Sequence, residues 1–149
     1  TAIAYALFNS DFERVKQLLW EYSFYPRPTS DYEQRIAYLS KAIEFNPKND
    51  DALYNKGVSF DAQEKYVDAI ICYQKALDIN PNDLQFLDNM GTAIYNLGDY
   101  KNAITYFDRS ISIDPNQCHP WQMKAMALKE LGLSDEAEDC YHMAKKLGA

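Results

Sequence analysis

The chain has 149 residues, 47% of them hydrophobic and 14% aromatic, so it can bury a real core instead of staying disordered. Its net charge of −7 argues against a binder of the phosphate backbone, which needs a basic face, and no nucleic-acid partner is expected. No apolar run reaches the length of a membrane span. Three cysteines without framework spacing, Cys72, Cys118 and Cys140, fit a reducing compartment, so a cytoplasmic location is expected.

The chain begins with Thr1, which marks it as processed or as part of a longer protein, and no signal-peptide pattern is visible. Residues 2–8 read as an apolar lead-in helix or as the remnant of an upstream repeat. A helix is expected over residues 11–22 and another after residue 30, each opened by a capping box: Ser10 with Glu13, and Ser30 with Glu33. Between them "FYPRPTS", residues 24–30, is too rich in proline to be helical and forms a longer loop. Trp20, Tyr22, Phe24 and Tyr25 read as a cap on the N-terminal end of the core, with a second binding surface as the alternative.

From residue 31 onward a period takes over. Pro47, Pro81 and Pro115 stand 34 residues apart, each preceded by Asn or Asp. Before Pro81 lie Tyr66, Ala69, Ile70, Tyr73, Ala76 and Leu77, the spacing of one helix face. Tyr100, Ala103, Ile104, Phe107, Ser110 and Ile111 repeat it before Pro115. Tyr32, Ile36, Leu39, Ala42 and Ile43 repeat it before Pro47, with Arg35 in the place of the small Ala69. That unit is degenerate and is expected to pack more loosely. After each proline a further helix begins, over residues 51–62, 84–97 and roughly 120–131. Proline stops one helix, and Asn or Asp in these turns can cap the next. Gly98 and Gly132 stand where a helix ends and a left-handed residue is useful. Gly57 and Gly91 lie inside first helices, at a cost of about 1 kcal/mol each against Ala, and the gain is close helix contact; Ala125 replaces them in the last unit.

These residues resemble the tetratricopeptide repeat, whose first helix carries a large residue, then Leu-Gly, then an aromatic. Here stand Leu53, Lys56-Gly57 and Phe60; then Leu87, Met90-Gly91 and Ile94; then Trp121, Lys124-Ala125 and Leu128. The second helix contributes Ala69, Tyr73, Ala76 and Pro81, then Ala103, Phe107, Ser110 and Pro115, then Ala137, Tyr141 and Ala144. The resemblance implies an all-α fold: a right-handed α-solenoid of antiparallel helix pairs. Its expected divisions are a lead-in helix and degenerate repeat over residues 1–49, full repeats over 50–83 and 84–117, and a last repeat over 118–149. Ile36, Ile70 and Ile104 are followed in register by Glu138, and Ile43, Leu77 and Ile111 by Lys145. The last helix thus turns a polar face outward, as a capping helix does, and stacking is expected to end there.

The resemblance further implies a concave groove lined by first helices. Its positions are Tyr54, Asn55 and Val58 in one repeat; Asn89, Thr92, Tyr95 and Asn96 in the next; Met123 and Met126 in the last. Asp51, Asp61, Ala62, Gln85, Asp88, His119, Gln122, Lys129 and Glu130 share this face. Tyr and Met would give apolar contact. Equivalent Asn55 and Asn89 suit a peptide backbone, because a carboxamide both donates and accepts. Some family members clamp a chaperone's terminal carboxylate with Lys, Asn and Arg. Only Asn89 matches that set; Tyr54, Val58, His119 and Met123 replace the others, so this ligand is rejected.

No nucleophile motif, phosphate-cradling loop or His-Glu-x-x-His is present. Cys118, His119, Cys140 and His142 match no structural zinc spacing, and equivalent Cys72 and Cys140 read as packing or solvent-side thiols. The expectation is a non-enzymatic scaffold or adaptor without cofactor or metal, holding a protein or peptide partner in its groove. The alternatives are a regulatory or docking domain of a larger enzyme, and a module that associates with its own copies.

Overall fold

The computed structural model describes residues 31–149. The helices and loop expected before residue 31, with the aromatic cluster of Trp20, Tyr22, Phe24 and Tyr25, lie outside the described residues. Within them run α1 (Tyr32–Phe45), α2 (Asp50–Asp61), α3 (Tyr66–Ile79), α4 (Leu84–Asn96), α5 (Tyr100–Ile113), α6 (Cys118–Glu130) and α7 (Ser134–Lys146). The helices pair as α2 with α3, α4 with α5 and α6 with α7, and each pair packs on the next through α3 with α4 and α5 with α6. The chain is an all-α solenoid, and α1 closes against α2.

Hydrogen bonds at the turns explain the period. Each second helix ends where the N–H of Asn46, Asn80 or Asp114 donates to the carbonyl of Ala42, Ala76 or Ser110. Asn46 and Asp114 then accept from the N–H two residues on, at 3.1 and 3.0 Å, which turns the chain around the proline. The next helix is capped two residues after the proline: Asn49 accepts from Ala52 N–H at 2.9 Å, and Asp83 from Phe86 N–H at 3.0 Å. Gln117, in the same place, makes no such bond. The cap of α1 is Asp31, which accepts from Gln34 N–H at 3.1 Å, one residue later than the expected Ser30.

The turns inside each pair share one further bond. The N–H of Lys65, Asp99 and Leu133 donates to the carbonyl of Phe60, Ile94 and Leu128, five residues back. That closure needs a left-handed residue, supplied by Gly98 (φ +84°) and Gly132 (φ +78°). In the first pair Glu64 takes the same conformation at φ +58°, without a glycine.

The glycines inside α2 and α4 are packing residues. A Cβ on Gly57 would lie 2.5 Å from Tyr73 Cε1, and one on Gly91 would lie 2.6 Å from Phe107 Cε1. Both rings are fully buried. The helix cost of glycine is therefore offset by a large aromatic seated directly on the opposing backbone. The main cluster joins Leu53, Tyr73, Leu77, Phe86, Leu87, Met90, Ile94 and Phe107 across the middle pairs, while Ala125, Leu128, Ala137 and Cys140 form a separate cluster in the last pair. Cys72 and Cys140 are buried packing residues, all three cysteines are free, and burial pushes the thiols of Cys72 and Cys140 up. Among the described residues no helix is long and apolar enough to cross a membrane.

Candidate partner-binding face

The first helices α2, α4 and α6 meet one another directly along one side of the solenoid. Tyr54 on α2 stacks on Phe86 at the start of α4, with ring centroids 5.0 Å apart, and tilts against Tyr73 at 5.8 Å. Its hydroxyl accepts a 2.6 Å hydrogen bond from Asn89 Nδ2 on α4. From α4, Asp88 reaches His119 on α6, with Oδ2 3.6 Å from Nδ1.

Tyr54 belongs to the core, which corrects its expected place in the groove rather than between helices. It is 9% exposed, and both its ring and its hydroxyl are engaged. Burial, with the charge of Asp83 nearby, pushes its hydroxyl up to about 12. Asn55 is turned inward as well. Its Nδ2 donates to its own helix at Asp51 O, 2.8 Å away, and its Oδ1 accepts from Arg35 Nη2 at 3.4 Å. Equivalent positions thus hold carboxamides in different states: Asn55 is spent at both ends, whereas Asn89 spends only its NH2 group.

Val58, Tyr95 and Met123 are half-buried and pack on the main cluster with an edge left in solvent. Met126 is half-buried too, and Asn96 is exposed. Thr92 is half-buried, and its hydroxyl donates to Asp88 O at 2.8 Å inside α4. Tyr95 also leans on Tyr100, with centroids 5.2 Å apart. Acidic residues surround these side chains. Burial raises Asp51, with Asp50 and Asp83 adding to the shift, and burial raises Asp61, whose carboxylate accepts from the Tyr73 hydroxyl at 3.4 Å. Burial also raises Tyr95, helped by the charge of Glu130.

Arg35 reaches α2 from the α1 end through Asn55. Burial lowers its guanidinium from the ordinary value, and its Nε is buried without a hydrogen-bond partner. Asp88 is the acid that sequence reasoning placed on this face without singling out. It is 8% exposed, and its Oδ1 has no partner. The available signal was its register: Asp88 stands one period after Tyr54 and is the one acid among Tyr54, Asp88 and Gln122. Of the residues weighed for metal binding, His142 faces Glu138 at 3.5 Å and His119 faces Asp88. Among the described residues no three His, Cys, Asp or Glu side chains gather in a group able to hold a metal ion.

Family models described as tetratricopeptide repeat match residues 27–49, 50–83, 85–117 and 106–139. No curated protein matches the sequence. Among solved structures, a crystal structure of MamA is 23% identical, with 79% of this chain and 69% of that one covered and a TM-score of 0.76. MamA MSR-1 C2 is 20% identical, with 98% and 91% covered and a TM-score of 0.73. MamA 41-end from Desulfovibrio magneticus RS-1 is 17% identical, with 78% and 66% covered and a TM-score of 0.74. At these identities the likeness is one of fold.

Proposed function

The chain belongs to the tetratricopeptide repeat family, whose members are protein-interaction modules, and on that premise we propose that it is a scaffold or adaptor that seats a segment of a partner protein along α2, α4 and α6. One observation carries the reading. Half-buried apolar side chains on these successive helices, Val58, Tyr95, Met123 and Met126, flank a carboxamide whose oxygen is unused.

Each part has a distinct role. The Tyr95 ring and the two methionines supply apolar area, and thioethers adapt to irregular partner surfaces. Tyr54 holds Asn89 by its NH2 group, so Asn89 Oδ1 is left to accept an N–H from the partner backbone. Asn55 takes no part, because Arg35 and its own helix occupy it. A carboxamide fixed at one end binds with less ordering cost than a free one. Three free thiols suit a reducing, cytoplasmic setting.

The test is affinity capture from native extract with the wild type, the Tyr95→Ala/Met126→Ala double variant and Val67→Ala, an outer-face control 60% exposed. A partner retained by wild type and control should be lost by the double variant, with helicity unchanged by circular dichroism. Equal recovery by all proteins would sink the proposal.

A further inference from the structure

The face described above carries a charge imbalance at its centre. The 34-residue register shows how it arises. In the α2–α4 step, Tyr54 presents a hydroxyl and Asn89 donates to it. One period later Asp88 stands in the place of Tyr54, and Met123 in the place of Asn89. A thioether has no proton to donate. The tyrosine–asparagine bond between α2 and α4 is thus not repeated between α4 and α6, where Asp88 faces His119 instead, and Asp88 Oδ1 is buried with no hydrogen bond. Among the described residues its Oδ2 meets His119, an exposed imidazole 3.6 Å away that carries charge only when protonated.

Asp88 thus keeps hydrogen-bond acceptor capacity that its own fold leaves unused. The surrounding face adds to the imbalance. By the repeat register Asp51, Asp61 and Glu130 fall on the same face as Asp88. Against them stand Arg35, already drawn onto Asn55, and the exposed Lys129. Other nearby cations are engaged outside the face: Lys124 pairs with Asp108 at 2.6 Å, and Arg109 donates to Pro81 O at 3.1 Å. The side chains around the acids are Tyr95 and the methionines, which offer an aromatic face and apolar walls to an aliphatic stem with a charged end.

Resting on the proposed partner-binding role, we infer that the occupant of this face is a basic segment, and that one of its lysine or arginine side chains ends at Asp88 beside His119. The cation supplies the positive charge that the α4–α6 step lacks. Its stem lies along Met123 and Met126.

The test uses fluorescence anisotropy with labelled peptides of one length and one leucine spacing, whose remaining positions carry lysine, glutamine or glutamate. The lysine peptide should bind tightest, the glutamine peptide more weakly and the glutamate peptide not at all. Asp88→Asn keeps the side chain's shape and should weaken the lysine peptide by about tenfold or more, with little effect on the glutamine peptide. Glu130→Gln, at an exposed position, should weaken the lysine peptide by about threefold and covers the case of an unfolded Asp88 variant. Glu138→Gln on α7 controls for bulk attraction to a chain of net charge −7 and should change binding by less than about twofold.

Lysine binding that is equally sensitive to Glu138→Gln and to Asp88→Asn would overturn the inference, since net charge alone then explains it. Equal binding of the lysine and glutamine peptides, lost with Tyr95→Ala but not with Asp88→Asn, would overturn the basic occupant and leave the partner-binding reading standing. Binding of no peptide by the folded wild type would overturn both.

Discussion

The middle helix pairs and the last pair are built on the same backbone unit yet packed differently. In the middle pairs Tyr73 and Phe107 are fully buried, each seated on a glycine of the facing helix. In the last pair Tyr141 takes their place, faces Ala125 in the glycine position and remains partly exposed. The cause lies in the neighbours. The next pair's first helix covers α3 and α5, whereas α7 packs chiefly on α6 among the described residues. Alanine at position 125 carries the better helix propensity of the two residues. The outward positions follow the same logic: Ile70 and Ile104 pack into clusters, while Glu138 is exposed and meets His142. One unit thus carries two surface chemistries at equivalent positions.

The largest expected effect that would break this contrast is an aromatic truncation. Phe107→Ala should cost about 3–5 kcal/mol, and Tyr141→Ala about half that or less, because less of its area leaves water on folding. Urea titrations of the two variants measure the difference, and equal losses would mean that both rings are structurally equivalent. A charge exchange comes next. Ile104→Glu should cost about 2–3 kcal/mol by placing a carboxylate against the last cluster, whereas Glu138→Ile should fall within about 0.5 kcal/mol of wild type. A marked stabilisation by Glu138→Ile in dilute solution would show that its face is covered. The smallest expected loss among the core variants is that of Gly91→Ala, at about 1–2 kcal/mol: the methyl's overlap with Phe107 outweighs the helix propensity it gains. A more stable Gly91→Ala variant would mean that the ring can yield as Tyr141 does.

Most of the helix pattern was legible in the sequence, because a period of 34 residues aligns prolines, caps and aromatics at once. The glycines of α2 and α4 were legible for the same reason: a helix breaker retained in register twice points to close contact. The binding face was less so. Register places Asn55 and Asn89 alike, yet one faces Arg35 and the other Tyr54. Periodicity fixes where a side chain starts, and the neighbouring unit, whose sequence differs, decides what it meets. Tyr54 was misplaced for that reason, since Phe86 supplies a ring for it to stack on. Asp88 needed coordinates, because only they show that its Oδ1 has no donor.

The carbonyl of Pro115 accepts from Trp121 Nε1 on α6 at 2.9 Å, whereas that of Pro81 accepts from Arg109 on α5. Leu53 and Leu87 hold the corresponding places and have no donor to offer. That indole is a built-in optical probe. With Trp20→Phe as background, Trp121 would be the one indole left to excite selectively, and a red shift of its fluorescence would time the opening of the α5–α6 turn separately from global melting.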